Sequence, residues 1–113
     1  MTRESVHVVK LSGDAGLRAA QEIAGSLRQA LAGHDRVAVD TAAVTDADVT
    51  TIQLLLSARR HAREAGRSLS LTAPPAGALR SLLIQTGCLD ASGRPQTPDG
   101  DFWTPSQAKG KAA

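Results

Sequence analysis

The sequence predicts an α/β fold in which crossover helices connect the strands of a mostly parallel β-sheet. Short apolar segments alternate three times with longer segments whose apolar residues recur every three or four positions, which is the pattern of strands followed by helices. Such helices return the chain to the starting end of the sheet, so successive strands run parallel. Function in α/β proteins usually lies in the loops at the carboxyl ends of these strands.

The first half of the chain predicts two strands and one helix. Residues 6–11, VHVVKL, are β-branched and apolar and precede a Ser-Gly-Asp turn, which indicates a strand. Residues 16–31 carry an apolar stripe that includes Leu17, and Gly33 follows, so we expect an amphipathic helix. Residues 36–40, RVAVD, predict a buried strand that places the carboxylate of Asp40 at its carboxyl end.

The second half predicts two more helices and a third strand. A stripe of small residues in segment 52–65 is typical of a helix that lies close to a sheet, and SLSLT at 68–72 alternates as a strand does. Pro74-Pro75 predicts the start of a third helix, which Gly87 ends. Segment 91–113 has no periodicity, so we expect one domain over residues 1–90 and a tail that is disordered or loosely docked through its two aromatic residues.

Composition limits the class of protein. The 113 residues are 42% hydrophobic and 21% charged, as in one soluble domain. We expect a cytoplasmic protein without direct membrane insertion, because the sequence has neither a signal-peptide pattern nor an apolar run of about 18 residues. The net charge of +2 is spread along the chain and does not indicate nucleic-acid binding. Cys88 is the only cysteine, so an internal disulfide and the usual Cys/His zinc sets are excluded, and we expect no cofactor.

The stretch VTDADVTTIQLL at residues 44–55 concentrates polar residues just before the second predicted helix. Asp46 or Asp48 can cap the unpaired N–H groups of that helix, and Thr50 and Thr51 suit its first turn. The same helix terminus would also stabilise a phosphate on Thr50, which the nearby aspartates would oppose. Such a site could switch affinity for a partner.

A small metal-dependent enzyme is the alternative from a different class. Asp40, Asp46 and Asp48 could supply the clustered oxygen ligands that hard cations require, although strand ends and helix caps also produce such aspartates. No base, nucleophile or phosphate-binding loop accompanies them in the sequence. We therefore expect a protein that is not an enzyme and holds no metal.

Residues 37–89 carry the elements of a known family in order. An apolar strand ending in Asp40 leads through Val44-Thr45 to the segment DVTT at 48–51, then to an apolar helix, a glycine-flanked strand and a final helix with the pattern of Pro75 to Leu89. This succession resembles the STAS domain, the sulphate-transporter and anti-sigma-factor-antagonist fold. The resemblance covers roughly residues 5 to 90.

The resemblance implies a bacterial protein-binding module in signal transduction. Its partner would be a kinase-like anti-sigma factor, a chemotaxis-type signalling protein or, as the runner-up, the ATPase of a phospholipid transporter. In the anti-sigma branch the Ser or Thr directly after the conserved aspartate is phosphorylated, and that position here is Val49. The resemblance therefore implies that Thr50 or Thr51 is the phospho-acceptor, or that the module signals by binding alone. The partner-binding loop would consist of Asp46, Asp48, Val49, Thr50 and Gln53.

Overall fold

A computed structural model describes residues 6–98 and 100–104, and these form one three-stranded sheet with helices. All strands run parallel, in the order β1-β2-β3. The elements are β1 (His7–Asp14), α1 (Ala20–Gly33), β2 (Arg36–Asp46), α2 (Val49–Glu64), β3 (Ser68–Leu71) and α3 (Gly77–Gln85), with 3-10 turns at Leu17–Ala19 and Gly100–Trp103. The predicted α/β fold with a parallel sheet and crossover helices is confirmed.

Strand β2 lies at the centre of the core. Three consecutive residues, Val37, Ala38 and Val39, are all buried, and since neighbouring side chains of a strand point to opposite faces, β2 is covered on both sides. Helices α1 and α2 pack against each other, and α3 packs against β2. This burial explains why the segment VAV at 37–39 is continuously apolar rather than alternating.

Strand β2 does not end at Asp40, so the predicted strand-end position of that carboxylate is wrong. The strand continues to Asp46, because the residues between are small or β-branched and include no Gly or Pro. The carboxylate of Asp40 accepts a hydrogen bond from the Ala42 N–H at 3.0 Å. Strand β1 likewise extends to Asp14, which pairs with Asp46, so the carboxyl edge of the sheet lies six residues beyond Asp40.

The helices differ from the prediction mainly at their ends. Helix α2 begins at Val49, three residues earlier than the apolar pattern indicated, and Gly66, with φ of 76°, follows its last turn. The N–H of Arg67 donates to the carbonyl of Ala62 at 2.7 Å across that glycine, which is a Schellman end. Helix α3 begins at Gly77, after the two prolines.

The described end of the tail, residues 100–104, is packed into the core, whereas residues 91–98 are exposed or half-buried. Phe102 and Trp103 are 4% and 0% exposed, and both carboxylate oxygens of Asp101 accept hydrogen bonds from Arg59 of α2, at 3.2 and 2.9 Å. The Arg59 guanidinium also lies 5.4 Å from the centre of the Phe102 ring. The docking is tighter than the sequence predicts, since two aromatic residues among Gly and Pro give no periodic signal. The rest of the predicted tail, residues 99 and 105–113, lies outside the described residues.

We predict that Trp103→Ala lowers the free energy of unfolding by about 3–5 kcal/mol, because truncation of a large buried aromatic side chain leaves a cavity in the core. Urea denaturation followed by far-UV circular dichroism measures the change. Ser81→Ala, on an exposed position of α3, is the control and should change stability by less than about 0.5 kcal/mol. Equal effects of the two substitutions would mean that the tail does not stabilise the domain.

Candidate functional site

The polar stretch at residues 44–51 lies at the carboxyl edge of the sheet, where β2 passes into α2. Only Ala47 and Asp48 connect the two elements. The stretch predicted as a loop therefore comprises the last residues of β2, this two-residue connection and the first turn of α2. Its backbone is thus fixed by regular structure on both sides.

Asp48 is the N-cap of α2, which decides between the two candidates that the sequence left open. One carboxylate oxygen, Oδ1, accepts a hydrogen bond from the N–H of Thr50 at 2.8 Å. The hydroxyl of Thr51 accepts one from the N–H of Asp48 at 3.1 Å, which completes a capping box. The other oxygen, Oδ2, accepts the N–H of Leu17 at 3.0 Å. One carboxylate thus caps α2 and also holds the residue that begins the turn before α1.

Thr51 links two connections from inside the core. One is the β1–α1 connection, residues 15–19, and the other is the β2–α2 connection of Ala47 and Asp48. The Thr51 side chain is 1% exposed, and its hydroxyl donates to the carbonyl of Ala15 at 2.7 Å. The hydroxyl therefore donates to one connection and accepts from the other. A phosphate on Thr51 would have to displace both bonds and occupy a buried position.

Gly16 is required by the close approach of the two connections. A Cβ atom at this position would lie 2.5 Å from Oδ2 of Asp48, so any other residue would force the carboxylate away. The Gly16 N–H donates to the Asp14 carboxylate at 2.8 Å, and the Ala15 N–H donates to the Asp46 carbonyl at 2.9 Å. The segment GDAG at 13–16 thus has a structural role: it ends β1 and leaves room for the Asp48 carboxylate.

The hydrogen bond from the Leu17 backbone lowers the pKa of Asp48 below its ordinary value of 3.8. Desolvation opposes this shift, and bonds from Thr50 and Thr51 add to it. The group is therefore ionised throughout the neutral pH range. As a carboxylate it accepts hydrogen bonds from both connections at once.

Two large apolar side chains are exposed next to this ionised carboxylate. Leu17 is 70% exposed and Val49 is 52% exposed. Leu17 donates its N–H to Asp48, and Val49 follows Asp48 as the first residue of α2. Thr50 is half-buried, and Gln53 is exposed one turn further along α2. The sequence pattern places Leu17 in the apolar stripe of the first helix. In the structure the chain forms a 3-10 turn there, which breaks the α-helical spacing and leaves Leu17 exposed.

The structure does not gather the three aspartates of the proposed metal site. Within residues 6–98 and 100–104, no group of three or more His, Cys, Asp or Glu side chains is placed to hold a metal ion. Asp40 lies within β2, the Asp46 carboxylate accepts a 3.4 Å hydrogen bond from the Thr45 hydroxyl, and Asp48 is committed to its caps. The geometry therefore does not support the three-aspartate metal site.

A family model described as "Mlab, STAS domain" matches residues 2–90. The chain belongs to the STAS domain family. The match spans the sheet, all three helices and the Asp48 cap, so the resemblance seen in the sequence is confirmed. A search of curated proteins found no match.

A solved structure of the anti-sigma factor antagonist SpoIIAA, in its unphosphorylated form, is similar to this STAS domain. The TM-score is 0.57 at 16% sequence identity, and the match covers 99% of this chain and 93% of the other. The similarity shows a shared fold. Within the described residues of the present domain, no helix is long and apolar enough to cross a bilayer.

We predict that Thr51→Val lowers the free energy of unfolding by about 1–3 kcal/mol, because the Ala15 carbonyl and the Asp48 N–H lose their partner in a buried setting. Chemical denaturation provides the measurement. Thr45→Val makes the same change at an exposed position of β2 and should cost less than about 0.5 kcal/mol. If both variants were equally stable, the buried hydroxyl would not hold the two connections together.

Proposed function

We propose that this STAS domain is a non-enzymatic bacterial regulatory module that binds a cytoplasmic signalling protein. The binding surface consists of Asp48, the exposed side chains of Leu17 and Val49 beside it, and the exposed face of α2. We name this the Asp48 surface. The partner is of the kinase-like anti-sigma factor or chemotaxis-type signalling class. The observation that carries the proposal is the exposure of two large apolar side chains beside a carboxylate held by both connections.

The chemistry of the Asp48 surface supports protein binding. Apolar side chains surrounded by polar groups are typical of the central contacts of protein interfaces. The hydrogen bonds to Asp48 fix the backbone beneath Leu17 and Val49, so little conformational entropy is lost when a partner binds. A site with bound substrate would instead need an enclosed pocket with convergent polar groups.

The proposal predicts that Val49→Asp weakens partner binding at least about tenfold, because a charge would replace a central apolar contact. The partner is first identified by co-purification with the full chain and mass spectrometry. Affinity for the purified partner is then measured by titration calorimetry. An aspartate at the first position of α2 favours the helix dipole, so the variant should fold normally.

Val8→Asp is the matched control, since Val8 is 51% exposed on β1 and Val49 is 52% exposed. Both variants add one negative charge in place of an equally exposed valine. Binding within about twofold of the native affinity is expected for Val8→Asp. The proposal is wrong if the purified partner binds the Val49→Asp and Val8→Asp variants with equal affinity.

Within this function we propose Thr50, rather than Thr51, as the site of phosphorylation. Val49 has no hydroxyl, and the hydroxyl of Thr51 is buried and makes two hydrogen bonds. Thr50 is half-buried at the second position of α2, where the helix N-terminus favours an anion. A phosphate there would bring a charge of about −1.5 to −2 beside Asp48. Repulsion between them would disturb the bond from Leu17 to Asp48, and hence the Asp48 surface.

Incubation with the kinase that co-purifies should place one phosphate on Thr50, located by fragment-ion mass spectrometry. Thr50→Ala should abolish the modification, whereas Thr45→Ala, which removes a neighbouring exposed hydroxyl, should leave it intact. Phosphate on Thr45 or Thr51, or no phosphate with an active kinase, would contradict the assignment. The last result would leave a module that signals by binding alone.

Docking on the ATPase of a phospholipid transporter is the second candidate function. The residue that favours it is Val49, since a valine directly after the capping aspartate suits constitutive binding better than a phosphate switch. The same Asp48 surface would make the contact. The identity of the co-purified protein distinguishes the two candidates.

A further inference from the structure

Two adjoining cavities lie between α1 and α2. One has a volume of about 500 Å³ and the other about 200 Å³. They share the lining residues Arg28, Leu31 and His61, so they form one continuous depression, which we name the α1–α2 groove. It extends from Ala24 to Ala32 on α1 and from Leu54 of α2 to Ala65, the C-cap of that helix.

The floor and the rim of the groove differ in chemistry. Leucine and alanine side chains from both helices form an apolar floor, and Arg28, Arg67 and His61 lie among the lining residues. No Asp or Glu is among the described residues that line it. Arg67 donates to Asp35 at 2.9 Å, whereas Arg28 forms no ion pair within the described part of the chain. The groove is therefore complementary to a ligand that is apolar and negatively charged.

The size of the groove suits a short peptide. Nine residues of α1 and twelve of α2 correspond to lengths of about 12 and 17 Å at the rise of an α-helix. About two to three turns of a helix or four to five extended residues would occupy this length. Amphipathic segments commonly bind in such grooves through apolar side chains at helical spacing.

We propose that the α1–α2 groove binds a short acidic, amphipathic segment of the protein partner. Its apolar side chains would contact the floor, and one of its carboxylates would pair with Arg28. This proposal deepens the proposed function and rests on it. The exposed face of α2 connects the two surfaces, because it carries Val49, Gln53, Ser57 and His61 at four-residue steps. Ser57 and His61 line the groove, so a partner on the Asp48 surface reaches it along one helix face.

The chain's own C-terminal segment does not fit the groove by charge. Residues 105–113, PSQAKGKAA, contain two lysines and no acidic residue. Repulsion from Arg28 disfavours this segment as the occupant.

Two fluorescein-labelled peptides of about twelve residues test the proposal, both with leucines at helical three- and four-residue spacing. One carries glutamate and the other lysine at the remaining positions. Fluorescence anisotropy with the full chain should show the acidic peptide binding at least about tenfold more tightly. Amide shifts in ¹⁵N spectra should centre on Arg28, Ser57 and His61.

Arg28→Glu should weaken binding of the acidic peptide at least about fivefold, because a repulsion replaces an ion pair. Arg60→Glu makes the same charge change on an exposed α2 position outside the groove and should alter affinity less than about twofold. Ser57→Phe, which fills the groove from an exposed position, should weaken binding as well. Circular dichroism checks that each variant folds.

Equal effects of Arg28→Glu and Arg60→Glu, shifts confined to the Asp48 surface, or no binding of the acidic peptide would each overturn the proposal. So would a dimer in sedimentation that Arg28→Glu dissociates, which would assign the groove to a second copy of the chain. Failure of the proposed function would give a different result from failure of the groove proposal. In that case Val49→Asp leaves binding of the native partner unchanged, while Arg28→Glu still weakens the acidic peptide.

Discussion

The arrangement of the carboxyl edge of the sheet depends on the carboxylate of Asp48. It accepts one backbone N–H from the first turn of α2 and another from the turn before α1, although Leu17 and Asp48 are 31 residues apart in the sequence. The hydroxyl of Thr51 repeats this bridge from the buried side. Two βα connections are therefore fixed to each other as well as to their own strands. Since hydrogen bonds to a charged group are stronger than neutral ones, ionised Asp48 makes this edge a single rigid unit.

This rigidity has a direct consequence for the surface. Single exposed apolar side chains are common in folded proteins and need no explanation. Leu17 and Val49 differ from that case because their backbones are held on either side of one carboxylate. Movement of Leu17 or of the peptide between Val49 and Thr50 would strain the bonds to that carboxylate, so a partner would meet both side chains in a fixed arrangement. A modification that disturbed Asp48 would alter both contacts together.

The sequence predicted the order of elements well, because β-branched runs and helical periodicity are local signals. It predicted a cap before α2 but not which aspartate supplies it, since Asp46 and Asp48 differ only in where β2 ends. The strand end was misplaced at Asp40 because a carboxylate after an apolar run is typical of a strand terminus. In the structure the Asp40 carboxylate instead accepts a hydrogen bond from the Ala42 N–H within the strand. The exposure of Leu17 was missed, and the tight docking of Trp103 was underestimated, for a shared reason. Both positions depend on contacts between residues distant in the sequence, Leu17 with Asp48 and the tail with Arg59, and no local pattern encodes those contacts.

Helix α2 connects the features on which the functional argument rests. Asp48 is its N-cap and Val49 its first residue, and its middle forms one wall of the α1–α2 groove. On another face, Arg59 forms an ion pair with Asp101 of the docked tail. A helix of 16 residues is rigid over its length of about 24 Å. Contacts at its start and along its side are therefore presented together, and a partner that engages both gains effective concentration for the second contact once the first has formed. Moderate contacts at each end can in this way produce specific binding without an enclosed pocket.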